Sequence, residues 1–134
     1  SIGVGLYEGV NIKNINLQKY IVQENCLQPE ITIECFQYDG QISTIARERM
    51  ASRAGVCVKT RVYHDSTLED IVKKILQITT MPNYFNIQFM RNAQNEYVVI
   101  DANLRSAGGM SMSYTAGWNV VGALVSMMLN KHWQ

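Results

Sequence analysis

Charge is scarce in this chain of 134 residues: only 17% are charged, and the excess of Lys and Arg over Asp and Glu is a net +1. That balance excludes a global field that would draw in nucleic acid or an anionic membrane. Long hydrophobic runs are missing as well. The longest, residues 120–129, is too short and too interrupted to span a bilayer. The first residues show no basic-then-apolar signal pattern. Cysteine is limited to Cys26, Cys35 and Cys57, widely spaced and odd in number. No metal spacing or redox pair emerges from them, so reduced thiols in a cytoplasm are expected. His64 and His132 stand alone, which excludes a recognisable triad or zinc site. No internal repeat and no low-complexity linker divides the chain.

What is present is enough apolar sequence, 47%, for one domain with a real core. Residues 20–24 read as a short strand, and Pro29 then breaks the chain. In residues 31–38, Ile31, Ile33 and Cys35 alternate with Thr32, Glu34 and Phe36, which predicts a strand with Cys35 facing inward. Asp39-Gly40 is a hairpin turn requiring positive φ, and residues 41–48 return as the partner. Residues 56–63 form another strand. Ser66 or Thr67 is expected to cap a helix running to about Ile78, with Leu68, Ile71, Val72, Ile75 and Leu76 on one face. Asp70 and Lys74 would pair along it. Pro82 ends that segment, and residues 106–113 read as a Gly/Ser loop. Residues 115–129 are expected to form one C-terminal helix. Strands, helix, strands, helix predicts an α+β fold with an antiparallel sheet and packed helices.

Two alternating runs carry the chemistry: Asn86-Ile87-Gln88-Phe89, and Val99-Ile100-Asp101-Ala102-Asn103-Leu104-Arg105. The polar turn Asn92-Ala93-Gln94-Asn95 lies between them. A two- or four-residue loop there would set Gln88 opposite Val99, on one face with Asp101, Asn103 and Arg105. Ile87, Phe89, Val98, Ile100 and Ala102 would take the other face. Two amides and a carboxylate offer oxygen ligands to a hard cation. Arg105, followed by Gly108-Gly109, offers a fork for a phosphate or carboxylate beside a backbone that an anion can approach closely. The competing reading is an ordinary solvated hairpin face, although such a face more often carries Lys, Glu and Thr. A second polar group, Arg47 and Arg49 with Lys59 and Arg61, would form a basic strip if its strands are neighbours, to meet phosphates or simply solvent.

Asn-Ile-Gln-Phe followed by Ile-Asp-Ala-Asn-Leu-Arg-x-x-Gly-Gly resembles the ATP-grasp ligases, and most of all the ATP-binding module of the carbamoyl phosphate synthetase large subunit. Ile21-Val22-Gln23-Glu24 and Pro29-Glu30-Ile31-Thr32-Ile33 resemble the hinge strand and the strand after it. Ser1-Ile2-Gly3-Val4 resembles the end of a glycine-rich loop. The resemblance covers nearly the whole chain and implies that residues 1–134 are the C-terminal portion of an ATP-grasp domain, lacking the substrate domain and the front of the ATP loop. It implies that Gln23, Glu24, Asn25 and Cys26 line an adenine pocket and that Glu30 accepts from the ribose hydroxyls. Gln88, Asp101 and Asn103 would hold Mg2+ (or Mn2+) bridging the ATP phosphates, and Arg105 would contact the transferring phosphoryl group. The implied chemistry joins a carboxylate to an amine or ammonia through an acyl phosphate. Asp101 stands where the family usually has Glu, and Leu104 where it usually has Pro. Two other readings stay open: a nucleotide-binding or regulatory module without catalysis, and a structural α+β interaction domain. No nucleic-acid or membrane partner is expected, the carboxylate and amine are not identified, and self-association is left open.

Overall fold

The computed structural model describes residues 16, 18, 19, 22–54 and 56–129. The glycine-rich start, Tyr20, Ile21 and His132 lie outside the described residues. The order of elements is β1 (Leu27–Tyr38), β2 (Gln41–Arg53), β3 (Val56–Tyr63), α1 (Ser66–Ile78), β4 (Tyr84–Arg91), β5 (Tyr97–Asn103), α2 (Met110–Thr115) and α3 (Val120–Met128). The strands form one antiparallel sheet in the order β3-β2-β1-β4-β5. The α+β class read from the sequence is the one observed.

Alternation along the strands builds two layers. Ile31, Ile33 and Cys35 of β1 face the same way as Ala46 of β2 and Phe85, Ile87 and Phe89 of β4, and α1 covers them with Leu68 and Val72. Cys35 is a core thiol, and burial pushes its pKa far above the ordinary value, with the Glu34 and Glu69 charges adding to the effect. On the opposite face Phe36 packs with Val120 and Ala123 of α3, joined by Tyr84, Met110 and Trp118. No helix among the described residues is long and apolar enough to cross a membrane.

Several local expectations are met. Asp39 and Gly40 take φ of 50° and 73°, and Tyr38 pairs with Gln41 across the tight turn. The helix α1 ends at Ile78. Its cap differs: the Asp65 carboxylate, one residue before the helix, accepts from the Leu68 amide at 3.0 Å. The pair along it also differs, because Lys73 reaches Glu69 at 2.6 Å and Asp70 at 3.8 Å. Residues 22–26 are not in a strand. Pro29 does not end a segment; it lies inside β1, at a shift of register between Leu27 and Ile31. A proline has no amide hydrogen to give to the ladder, so such an irregular stretch is where a strand tolerates one. The expected helix over 115–129 starts only at Val120, as α3, and α2 forms instead largely within the residues expected to be a Gly/Ser loop. Gly117 adopts φ of 97°, and Asn119 caps α3 by accepting from the Gly122 amide at 2.8 Å.

The β4–β5 hairpin departs from the expected register, and the reason is local. Asn92 Oδ1 accepts from the amides of Gln94 and Glu96 at 3.0 and 2.8 Å, which closes a five-residue loop, residues 92–96, between Arg91 and Tyr97. An odd loop inverts the face of every following residue. A bulge between the pairs Phe89–Val99 and Gln88–Asp101 then inverts it back. Gln88 therefore lies opposite Asp101 rather than Val99, yet still on the face of Asp101 and Asn103. Val98 pairs with Met90 and so does not share the face of Ile87 and Phe89.

Candidate functional site

The sheet face turned away from α1 carries a band of polar residues. Glu30, Thr32 and Glu34 project from β1 on this side, because their neighbours Ile31, Ile33 and Cys35 project into the core. Thr32 is flanked by Arg47 on β2 and Gln88 on β4, and Gln88 by Asp101 on β5. One row therefore runs Arg47, Thr32, Gln88, Asp101 across four strands. The next row places Glu34 beside Asn86, and Asn86 beside Asn103. Helix α3 covers the Phe36–Tyr84 end of this face, and Ser113 of α2 reaches Glu34.

Gln88, Asp101 and Asn103 are thus brought together. Asp101 is exposed, and Gln88 and Asn103 are half-buried. Asp101 Oδ2 accepts from Asn103 Nδ2 at 2.8 Å, and its Oδ1 from the Ala102 amide at 2.9 Å. The first bond turns the Asn103 amide so that its oxygen is left over. Three oxygen donors of this kind fit a hard, well-hydrated cation and do not fit a soft metal. Among the described residues there is no cluster of three His, Cys, Asp or Glu side chains that could hold a metal. The donor set is therefore mixed, carboxylate with amides.

Arg105 lies just past β5, exposed, with Nη1 donating to the Ser106 carbonyl at 3.0 Å. Its own carbonyl accepts from Asn86 Nδ2 at 2.8 Å. Glu30 sits at the other end of the face. Its Oε2 is 3.1 Å from Nη1 of Arg49, while its Oε1 is buried and has no partner among the described residues. A buried carboxylate oxygen without a donor is unfavourable, so this atom is suited to a hydroxyl or amine brought in by a ligand. Gln23, Glu24 and Asn25 are exposed and Cys26 is half-buried, in the irregular segment before β1.

The expected basic strip does not exist. Arg47 and Arg49 do share the polar face, but each is paired with a glutamate of β1. Arg61 lies opposite Glu48 and bonds it, on the α1 side of the sheet. The register of β2 against both neighbours separates the two halves of the strip.

A buried group went unrecognised in the sequence. Glu34, with 0% exposure, accepts from Nε of Arg47 at 2.7 Å, from Oγ of Ser113 at 2.6 Å and from the Tyr84 hydroxyl. Burial raises the Tyr84 pKa far above the ordinary phenol value, and the bond to Glu34 raises it further, so Tyr84 stays a donor. The available signal was a Glu within the apolar run of β1.

A depression of about 440 Å3 lies at the β1–β2 turn beside α1, lined by Gln37, Asp39, Lys73 and Asn83 among others. It shares no residue with the polar face.

The antiparallel sheet with its helices on two sides is that of the α+β portion of an ATP-grasp protein. The family that matches, over residues 16–134, is described as ATP-grasp in the biosynthetic pathway with Ter operon, and the chain belongs to it. No curated protein matches the chain. Membership makes these residues part of an ATP-dependent, ligase-type module, a fold that generally binds ATP with Mg2+ or Mn2+.

Proposed function

We propose that the polar face is the nucleotide and metal floor of a ligase that activates a carboxylate as an acyl phosphate for attack by an amine or ammonia. The observation that carries this reading is the gathering of Gln88, Asp101 and Asn103 on one face, with the Glu30 oxygen that has no partner among the described residues beyond them. Gln88, Asp101 and Asn103 would hold Mg2+ or Mn2+ through oxygen. When bound, the ion would neutralise phosphate charge. Glu30 Oε1 would accept from ribose hydroxyls, and residues 23–26, from Gln23 to Cys26, would border the adenine. Arg105 would steady the phosphoryl group in transfer. The lysine strand and the front of the glycine-rich loop that such a site uses are taken to come from residues outside these 134. Three free cysteines support a reducing, cytoplasmic setting. The family description supports a biosynthetic role.

A second reading, a nucleotide-binding module without turnover, is favoured by one feature. Asp101 is a methylene shorter than the usual Glu, and both its oxygens already accept hydrogen bonds. The test uses the full-length protein that carries these residues. Mg-ATP binding is expected, with ADP formed in the presence of a carboxylate and an amine. Asp101→Asn should abolish ADP formation and leave the fold intact, whereas Asp101→Glu should retain or raise it. Mg-ATP binding with no ADP formed across a panel of carboxylates would favour the second reading.

A further inference from the structure

The loop that bears Arg105 is held at three points. Asn86, itself 2% exposed, donates from Nδ2 to the Arg105 carbonyl at 2.8 Å. The Ala107 amide approaches the Tyr84 hydroxyl at 3.4 Å, and that hydroxyl donates to Glu34. At Gly109 the backbone lies against the guanidinium of Arg47. A Cβ there would sit 1.9 Å from Nη1 and 2.7 Å from Cζ of Arg47. Glu34 ties the last two points together, since it also accepts from Arg47 Nε at 2.7 Å. Ser113 of α2 donates to the same carboxylate at 2.6 Å, so the helix following the loop is anchored on it too.

We propose that Glu34, with Arg47 and Tyr84, forms a buried positioning group that fixes residues 105–109 and thereby sets where Arg105 stands over the polar face. The proposal rests on the nucleotide reading of Arg105 given above. Stability is a weak reason for such a group, because apolar residues of similar volume often stabilise as well as a buried ion pair does. Geometry is a better one. A planar guanidinium held by one carboxylate presents a fixed surface, and only a glycine can lie flat on it. The Tyr84 hydroxyl serves two partners, donating to Glu34 and accepting from Ala107, which transmits the position of β1 to the loop. A catalytic side chain displaced by about 1 Å loses much of its effect, so a rigid support of this kind matters most beside a reacting phosphoryl group.

The test compares Mg-ATP with Mg-ADP binding, by calorimetry, in the full-length protein. If Arg105 addresses the terminal phosphoryl group, Arg105→Ala weakens Mg-ATP and leaves Mg-ADP unchanged. Tyr84→Phe keeps the ring and removes only the hydroxyl. It should reproduce that selective loss, about fivefold in Mg-ATP affinity, as expected for one hydrogen bond. Gly109→Ala should do the same by displacing Arg47. In the Arg105→Ala background Tyr84→Phe should add nothing, since both act through one side chain. Equal losses for both nucleotides, no loss for either, or full additivity with Arg105→Ala would overturn the positioning role. Should Gly109→Ala fail to fold, the Tyr84→Phe cycle decides alone. A wild-type protein that binds neither nucleotide overturns the nucleotide reading and this proposal with it. A wild-type protein that binds both, with variants that break the expected pattern, overturns only the positioning role.

Discussion

The two faces of the sheet are built from the same strands by opposite means. On the α1 face, Ile33, Cys35, Phe85 and Phe89 have 0% exposure and no charge among them. Cohesion there is hydrophobic and non-directional. On the other face the buried side chains include Glu34, Arg47 and Asn86, each held by a directed bond. The first arrangement tolerates changes of shape if volume is kept. The second depends on partners, and removing one strands the other. The larger apolar core thus lies on one side, and the buried charged and polar side chains lie on the other, beside the smaller cluster of Phe36, Val120 and Ala123.

The largest effect that tests this division is a truncation on the α1 side. Phe89 is fully buried and meets Tyr97 edge-on at 6.1 Å between ring centres. Phe89→Ala should lower unfolding free energy by about 3–5 kcal/mol, measured by urea denaturation. Its neighbour Gln88 points to the other face and is half-buried. Gln88→Ala should stay within about 0.5 kcal/mol of wild type while weakening Mg-ATP binding. Equal destabilisation by the two changes would break the comparison.

Legibility in the sequence follows the same line. The α1 stripe, the inward Cys35 and the Asp39-Gly40 turn are short-range patterns, and each is where alternation or helical spacing placed it. The polar face was legible in part: Gln88, Asp101 and Asn103 were gathered by parity alone. The pairing behind that parity was not, because the Asn92 loop and the bulge beyond Gln88 each shift the register by one residue, so that Gln88 meets Asp101 and not Val99 while the two inversions of face cancel. Arg47 was misread although the Asp39-Gly40 turn sets that hairpin, because its partner, Glu34, is a diagonal neighbour across it and not the residue opposite, which is Thr32. The break at Gly117 was visible as a glycine but was outweighed by the apolar run around it. In each failure, a side chain bonded to backbone or to a distant charge decided the geometry.

A smaller effect asks how α1 is fastened over its face. Asp65 Oδ1 accepts from the Leu68 amide at 3.0 Å, and Oδ2 accepts from the Tyr97 hydroxyl at 2.9 Å. One carboxylate therefore both caps the helix and ties it to β5. Asp65→Ala should cost about 1–2 kcal/mol, and Asp65→Asn less, because an amide oxygen still caps. Tyr97→Phe should remove only the tie. Thermal unfolding of the three variants separates the two contributions. If Asp65→Ala and Tyr97→Phe are equal, the cap contributes nothing and the attachment of α1 rests on its apolar stripe and the tie to β5.

The smallest expected effect is one of pH, at the other fastening of α1. Glu69 has its pKa lowered, first by the bond from Lys73 and also by the Thr44 hydroxyl, against the opposing effect of burial. Thr44 Oγ1 donates to Glu69 Oε2 at 3.2 Å and so links β2 to the helix. A carboxylate whose folded pKa lies below its unfolded value adds stability that is present above about 4.5, the ordinary Glu value, and is lost as pH falls through the folded pKa. Lys73 is exposed, so screening keeps the pair weak. The expected outcome is a shallow fall in thermal midpoint on acidification below pH 4.5 that Glu69→Gln flattens and that Thr44→Val flattens less. An acid dependence untouched by Glu69→Gln would show that this fastening of α1 contributes nothing to it.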